Sequence, residues 1–553
     1  VKKRLTWLMI LTLIMVSIIS ACGSEKESKT NNASEEPTAE VDTKKPVTYS
    51  INVVDPKFKW TGTPVGDAFT EATGVTMNYT PVIGDVNQKY EIWAASGDYT
   101  DILMLTPYHL QRFKNNGNII PLEDLIDQYG PNIKKKLGKY YDLLKDEDGH
   151  IYSIYGIRQA NESPAGTQAS FAVQYKVLEE AGYPEIKTLD QLFEVIKAYY
   201  EKHPTVDGSK TIPWSGLGLQ MIANNSAISA AGKPDHGAYF MDENNNVKLA
   251  YTSEFTKEYL KFLNRFHQEG MLDPELFSLN QETGSAKIAQ GRVLGGYFPQ
   301  WLLSNPESTL TATGKTDSLY AKFPVLLNDG VEDKANAMVL PSSSNYWSIT
   351  DKAKKPERII QFIDYLFTDE GQKLINWGVE GAHYDVVDGK RVRKQEVIDG
   401  PNENPDYGYN QGFGGPVVVF SYGDGAKLDD GDYATSSTRE SIKSLLDPKT
   451  KEVLSKYNKE LWSDFLSEPA LIPAFLWQVP RPEYVQDIQY IFDDLQPIVN
   501  KEVPRIIMSK SDADFEQAWT SFVQAVEKKG SKTLEEAYTK MWQEYTAKFN
   551  ELN

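Results

Sequence analysis

The sequence predicts an α/β protein of at least two lobes, and three observations carry that prediction. At 553 residues the chain is far longer than one simple hydrophobic core organises. From Val47 onward, strand-like and helix-like patterns alternate, as α/β architectures require. Helical stripes then become more frequent toward the C-terminus. No short internal repeat of the solenoid kind interrupts this plan.

The first element is a targeting segment, not part of the fold. Lys2, Lys3 and Arg4 form a positive head, and "LTWLMILTLIMVSIIS" (5–20) follows without a charge. That layout is an export signal, expected over 1–21. Its apolar run falls short of the ~20 residues that span a bilayer comfortably. Cys22 is the only cysteine, which rules out an intramolecular disulfide and zinc sites built on several cysteines. Ile19-Ser20-Ala21-Cys22 resembles a bacterial lipobox, which implies a mature chain starting at a lipidated Cys22. Two or more acyl chains give stable attachment where one is marginal. Residues 23–46 contain one Val and no aromatic residue, too little apolar area to offset the entropy of ordering. The stretch 22–46 therefore reads as a flexible tether, on the order of 25–30 Å long as a coil.

The folded body opens with "VTYSINVV" (47–54), a strand leading into "DPKFKW" (55–60). A helix is expected over 67–73, stopped by Gly74, the residue favoured just past a helix end. "VTMNY" (75–79) is the next strand. A capping box of Thr188 with Gln191 starts a helix carrying Leu192, Val195, Ile196 and Tyr199 on one face. Phe255, Tyr259, Phe262, Leu263 and Phe266 repeat the stripe until Gly270 ends it. Ile359, Ile363, Leu366 and Phe367 do so again. Such stripes are core positions.

Composition removes several function classes. The formal net charge of -19 argues against nucleic acid as a partner, because phosphate binding needs a basic surface. Catalytic signatures are missing: there is no GxSxG elbow, Walker loop or HExxH helix among the six His. Acidic pairs such as Glu91 with Asp98, or Asp429 with Asp430, exist as in any acidic protein. Whether two of them face each other across a cleft is not legible in sequence. Calcium finds no full motif. "DEDGHIYSI" (146–154) reads as a hairpin turn, "DENNNVK" (242–248) lacks the distal Gly and bidentate Glu of a calcium loop, and "DGAKLDDGDY" (424–433) is a solvated acidic loop.

Aromatic residues in Gly- and Pro-containing surroundings stand out instead, among 31 Tyr, 22 Phe and 11 Trp. Trp and Tyr join a flat apolar face to a polar tip, which suits pyranose rings with their C–H faces and hydroxyl rims.

Several segments, in order, resemble the family 1 extracellular solute-binding lipoproteins of carbohydrate ABC importers, in particular the long LplA-like and alginate-binding-protein-like members. "YEIWAASGDYTDILML" (90–105) is similar to their ASGD-x-PDI segment and "DGHIYSIYGI" (148–157) to their "DGKIYGLP" crossover. "VLEEAGYPEIKTLDQLFEVI" (177–196), "FLNRFHQEGMLDPELF" (262–277) and "INWGVEGAHYDVVDGK" (375–390) match further family segments. The resemblance runs from about Val47 to the end. It implies a two-lobed, type II periplasmic-binding-protein-like α/β fold with the ligand cleft between the lobes. Lobe one would be 47–157 plus 322–380, and lobe two 158–321 plus 381–553. It further implies a monomer that captures an oligosaccharide by closing and delivers it to ABC permease subunits. The chain itself would perform no reaction and need no cofactor. It would sit on the extracellular face of the cell membrane of a Gram-positive bacterium. A surface-anchored glycosidase or lyase, and a receptor that feeds a sensor kinase, are the competing readings.

The crossover logic and the aromatic inventory together nominate ligand-binding residues. They are Trp60 after the first strand and Arg158 at the first crossover, Trp214, Tyr297 and Trp301 from the second lobe, and Trp347, Trp377, His383 and Tyr384 near the later crossovers. Tyr409, Phe413 and Trp477 complete the set. His383 has an equal claim to be a satisfied core histidine, and Arg158 to pair with a carboxylate across the hinge. One departure concerns metal. Alginate-binding relatives carry a calcium loop where this chain has "HPTVDGSKTIPWSG" (203–216), with only Asp207 and Lys210 kept, so no calcium is expected there.

Overall fold

The computed structural model describes residues 44–552, apart from 147, 157–168, 217, 219–220, 341–344, 405 and 474–482. The expected export signal, Cys22, most of the expected tether, Arg158 and Trp477 lie outside the described residues.

The chain enters one lobe through β1 (Val47–Val53), α1 (Pro64–Thr73), β2 (Val75–Pro81) and β3 (Ile102–Leu105). β1 and β2 pair in parallel, from Val47 opposite Val75 to Val53 opposite Pro81, and β3 joins the other side with Ile102 opposite Ile51. α1 starts earlier than expected because Thr63 Oγ1 accepts the Gly66 N–H. Pro64 fits the first turn, where no donor is needed. Gly74 ends the helix at a φ of 69°, as its position predicts.

After Tyr155 the chain passes to a second lobe. There it builds β4 (Ala169–Gln174), α2 (Leu189–Lys202), β5 (Ile212–Ser215), α3 (Glu254–Gln268), β6 (Val293–Pro299), α4 (Gln300–Ala312) and β7 (Tyr320–Phe323). The Thr188–Gln191 capping box is formed, and the aromatic stripe of α3 is buried from Tyr259 to Phe266. The sheet order is β7-β4-β6-β5, with β5 and β6 parallel and β4 antiparallel to both neighbours.

The chain returns through β8 (Ala337–Leu340) to β9 (Tyr346–Ile349), which completes the first sheet in the order β9-β3-β1-β2. α5 (Pro356–Leu366), α6 (Asp369–Asn376) and a hairpin of β10 (Tyr384–Val387) and β11 (Lys390–Arg393) follow. From Ala434 a crossing segment containing α7 (Arg439–Leu445) leads back to the second lobe. β12 (Ala470–Pro473) pairs in parallel with β8, and α8 (Glu483–Ile507), α9 (Asp512–Lys528) and α10 (Ser531–Leu552) end the chain. Among the described residues no helix is long and apolar enough to cross a membrane.

Each lobe has its own core. Ile51, Phe69, Ile102, Trp347, Phe362 and Phe420 sit in the first, and Phe171, Trp214, Phe266, Val293, Leu495 and Phe522 in the second. Each large apolar side chain so buried contributes roughly 1.5–3 kcal/mol. The division differs from the expected one in two places. Phe323 and Val325 pack in the second core, so the return crossing begins later than residue 322. Residues Val417, Phe420, Tyr422 and Leu428 pack in the first core, although 381–553 was expected in lobe two. Hydrogen bonds fix that assignment: Gln372 Nε2 donates to the Phe420 carbonyl (2.9 Å), and Tyr422 Oη to the Phe367 carbonyl (2.6 Å).

Candidate functional site

In open α/β sheets, ligands bind outside the carboxyl ends of the parallel strands. In the first lobe β1 ends at Val53, and Asp55 opens a turn by accepting the Lys57 N–H (2.9 Å). The 406–415 segment folds back onto this turn. Tyr409 Oη donates to Asp55 Oδ2 (2.5 Å), Lys57 pairs with Asp406 (2.8 Å), and Phe58 meets the Tyr409 ring edge-on at 5.1 Å. The bond to Asp55, aided by burial, pushes the Tyr409 hydroxyl pKa up. Gly414 and Gly415 hold φ of 79° and 70° here, and a Cβ on them would meet Phe58 at 3.1 Å and the Tyr79 hydroxyl at 3.2 Å. Only glycine lets the backbone turn that close to the rings.

Contacts continue without a break into the 377–393 segment. A Cβ at Gly412 would strike Thr63, the cap of α1. Phe413 packs on the His383 ring at 4.8 Å, and the Arg393 guanidinium lies 5.0 Å over Phe413. His383 Nδ1 accepts the Val379 N–H (2.9 Å), so the neutral ring carries its proton on Nε2 and donates it to Gln411 Oε1 (3.1 Å). Burial lowers the His383 pKa, and the ring is a satisfied core histidine. Trp377 donates from Nε1 to the Tyr433 carbonyl (3.1 Å), packs against the buried Tyr384 at 5.7 Å, and has Arg391 and Arg393 each 5.6 Å over its ring. Arg393 also binds the carbonyls of Asn376 and Trp377, which favours a cation at the C-terminus of α6.

Beside Trp377 opens a hollow of about 800 Å³, walled by the β10–β11 hairpin, the 427–433 loop and α7. Its charged lining is balanced: Lys390, Arg391, Arg393 and Lys427 against Asp388, Asp430, Asp432 and Glu440. Arg391 bonds to Asp430 (2.6 Å) and Asp432 (3.3 Å), and its hydrogen bond to Asp430 holds that carboxyl down at about 2. Both carboxylates are therefore committed to the arginine. The arrangement offers planar rings, cations and hydroxyls such as Ser436 and Ser441 to a polar ligand.

At the carboxyl edge of the second lobe, Trp301 stands in the first turn of α4 with 56% of its surface exposed. Trp214 does not reach the surface. It lies between Phe262 and Phe266 at 5.3 and 5.2 Å, with Tyr297 buried against Phe171 at 5.0 Å. The space beside Trp214 and Tyr297 measures about 10 Å³, room for about one water and no sugar. Trp60 is likewise core, stacked on Phe69 at 5.4 Å with its Nε1 on Thr70 Oγ1 (2.9 Å). Trp347 is wholly buried with Nε1 on the Pro416 carbonyl (3.2 Å).

The structure thus brings Trp60, Trp377, His383, Tyr384, Tyr409 and Phe413 to one edge of one lobe, where Trp377 lines the hollow and most of the others build its support. Sequence reasoning missed Arg391, Arg393 and Asp55. The arginines did carry a signal: they alternate along a strand just after the Asp388–Gly389 turn, and so project from one face. Asp207 is occupied with Lys315 (2.7 Å), and among the described residues no group of acids, His or Cys is placed to hold a metal.

Two α/β lobes, chain crossings between them and a charge-balanced hollow beside one carboxyl edge define a two-lobed binding protein. The chain belongs to the bacterial extracellular solute-binding protein family, whose model matches residues 56–373. It is 27% identical over 394 residues to the fructooligosaccharide ABC transporter substrate-binding protein FusA of Streptococcus pneumoniae serotype 4, covering 67% of this chain and 70% of that one. Lipoprotein LipO of Bacillus subtilis is 22% identical over 319 residues, 55% of this chain and 60% of LipO. Among solved structures, FusA in complex with kestose aligns at a TM-score of 0.65 and 19% identity, over 91% of this chain and 100% of that one. Alginate-binding protein AlgQ2 without calcium ion aligns at 0.65 and 17%, over 90% and 98%. These structural likenesses establish the fold.

Proposed function

We propose that this protein captures an oligosaccharide between its lobes and hands it to the permease of an ABC importer, from the outer face of the membrane where lipid on Cys22 holds it. The single observation that carries the reading is the hollow beside Trp377, with its rings, hydroxyls and balanced charges at the carboxyl edge of the first lobe. The family membership and the relative named for fructooligosaccharides support it. Trp377 and the Tyr409–Phe413 segment supply the first lobe's part, and Trp301 the second's. Arg158 and Trp477 keep their nomination. The moving bodies are 44–156 with 345–434, and 169–325 with 453–552. A ligand that touches both favours the closed form by its difference in affinity for closed over open, and no more. The protein then works as a monomer without turning over its cargo.

The test is a thermal-unfolding screen against defined oligosaccharides, fructooligosaccharides first. At 100 times its dissociation constant a true ligand adds ~2.7 kcal/mol. Silence across a broad panel, or hydrolysis of any member, overturns the proposal.

A further inference from the structure

A second hollow of about 580 Å³ lies on the flank of the second lobe, between α4, the edge strand β7 and the stretch that follows α7. No residue of the first core lines it. α4 presents Ser304, Ser308 and Thr311 to it, spaced as one helical face. Each of these hydroxyls gives its hydrogen to a carbonyl of its own helix (2.9 Å in each case). Their oxygens therefore face the hollow as acceptors, a match for a ligand rich in hydroxyl donors. Deeper in, Glu307 and Lys322 neutralise each other at 3.1 Å, and Trp462 stacks with Tyr175 at 6.1 Å. Asp447 adds a carboxylate that accepts the Thr450 N–H (3.0 Å). Hydroxyl acceptors, an aromatic wall, a cancelled charge pair and this one carboxylate suit an uncharged sugar unit and disfavour an anionic one, and the volume is that of a ligand pocket, about 300–1,000 Å³.

This hollow and the one beside Trp377 share Leu445, the last residue of α7. Leu445 is 55% exposed, an apolar crest between two polar basins. A sugar chain passing from one basin to the other would lay its C–H face on that crest and remove the leucine from water. We propose that the second hollow is a sugar subsite reached over Leu445, so that the preferred ligand is an uncharged oligosaccharide long enough to run from Trp377 to Trp462. The inference rests on the oligosaccharide reading and adds to it the length and charge of the ligand.

Titration calorimetry on the full chain tests this, with an uncharged ladder of inulin-type chains running from kestose upward and oligogalacturonides of matched length. Wild-type affinity is expected to rise along the uncharged ladder and exceed that for the charged chains. Ser308→Trp, which fills the second hollow from an exposed position, is expected to weaken the longest chain about tenfold and leave kestose unchanged. Thr311→Trp, at an exposed position that lines the second hollow and not the one beside Trp377, is expected to act in the same way, which guards against misfolding of one variant. If the affinity of the wild type is flat with length, or both variants hold the longest chain as the wild type does, the subsite does not exist. Tighter binding of the charged chains overturns the uncharged assignment. A wild type silent toward both ladders and toward the wider panel overturns the parent reading, and is recognised because no variant is needed to see it.

Discussion

Replacing Trp301 by Ala separates binding from stability more sharply than any other change at the two carboxyl edges. A tryptophan offers up to about 250 Å², and 56% of this one is in water, so about 140 Å² is free to meet a ligand. Stacking of one ring face covers about half of that, which at ~25 cal/mol per Å² is worth about 1.8 kcal/mol. Trp301→Ala should therefore weaken oligosaccharide binding about twentyfold. Little packing is lost, and the melting free energy should stay within about 0.5 kcal/mol of wild type. Calorimetry of the best ligand from the screen, paired with denaturant unfolding of the apo protein, reads both quantities. Binding within about twofold of wild type would show that the exposed ring is not a ligand platform. A large loss of stability would show that the exposure has been misjudged.

The contrasting change is Trp214→Ala, which empties a core site and should cost about 3–5 kcal/mol in urea unfolding. The folded fraction should keep its affinity, and loss of binding without loss of stability would return Trp214 to the site. Asp430 has its pKa held at about 2 chiefly by Arg391, against 3.8 ordinarily. Its contribution to stability is complete above the ordinary value and is lost as pH falls toward about 2, an interval over which Asp430→Asn should have a flatter stability profile than wild type. A profile unchanged in the variant would dissociate Asp430 from the Arg391 pair. Cys22→Ala should leave sugar affinity intact and release the protein from membranes in cell fractionation. Variant protein that stays lipidated would contradict the lipobox reading.

Much of the fold was legible because its signals are local. Thr188 and Gln191 are three residues apart and form the expected capping box, and Gly74 stops its helix with a backbone conformation that it alone adopts cheaply. The site was less legible because exposure is decided by partners far along the chain. Trp347 sits in a Ser-rich stretch that reads as a loop, yet a carbonyl at Pro416 and the ring of Phe362 close over it. Trp214 looks like a loop residue beside Pro213 and Gly216, but α3 brings Phe262 and Phe266 to cover it. The reverse holds for Arg391 and Arg393. Their alternation was visible, but nothing nearby announces Asp430 or the crossing that makes a wall opposite them. Residues 417–434 were placed with the wrong lobe for the same reason: their apolar spacing says that they are buried, not against what.

The pairing of β8 with β12 bears on mechanics. Ala337–Leu340 runs alongside Ala470–Pro473 in four-residue register, so the return crossing is bound along a strand of the second body before it reaches the first. A free string lets the bodies it joins twist and slide. A strand paired along its length flexes across its flat face but resists shear in its plane, because sliding would break every rung together. In the proposed closure this stretch of the crossing is carried with the second body and does not bend as a free tether.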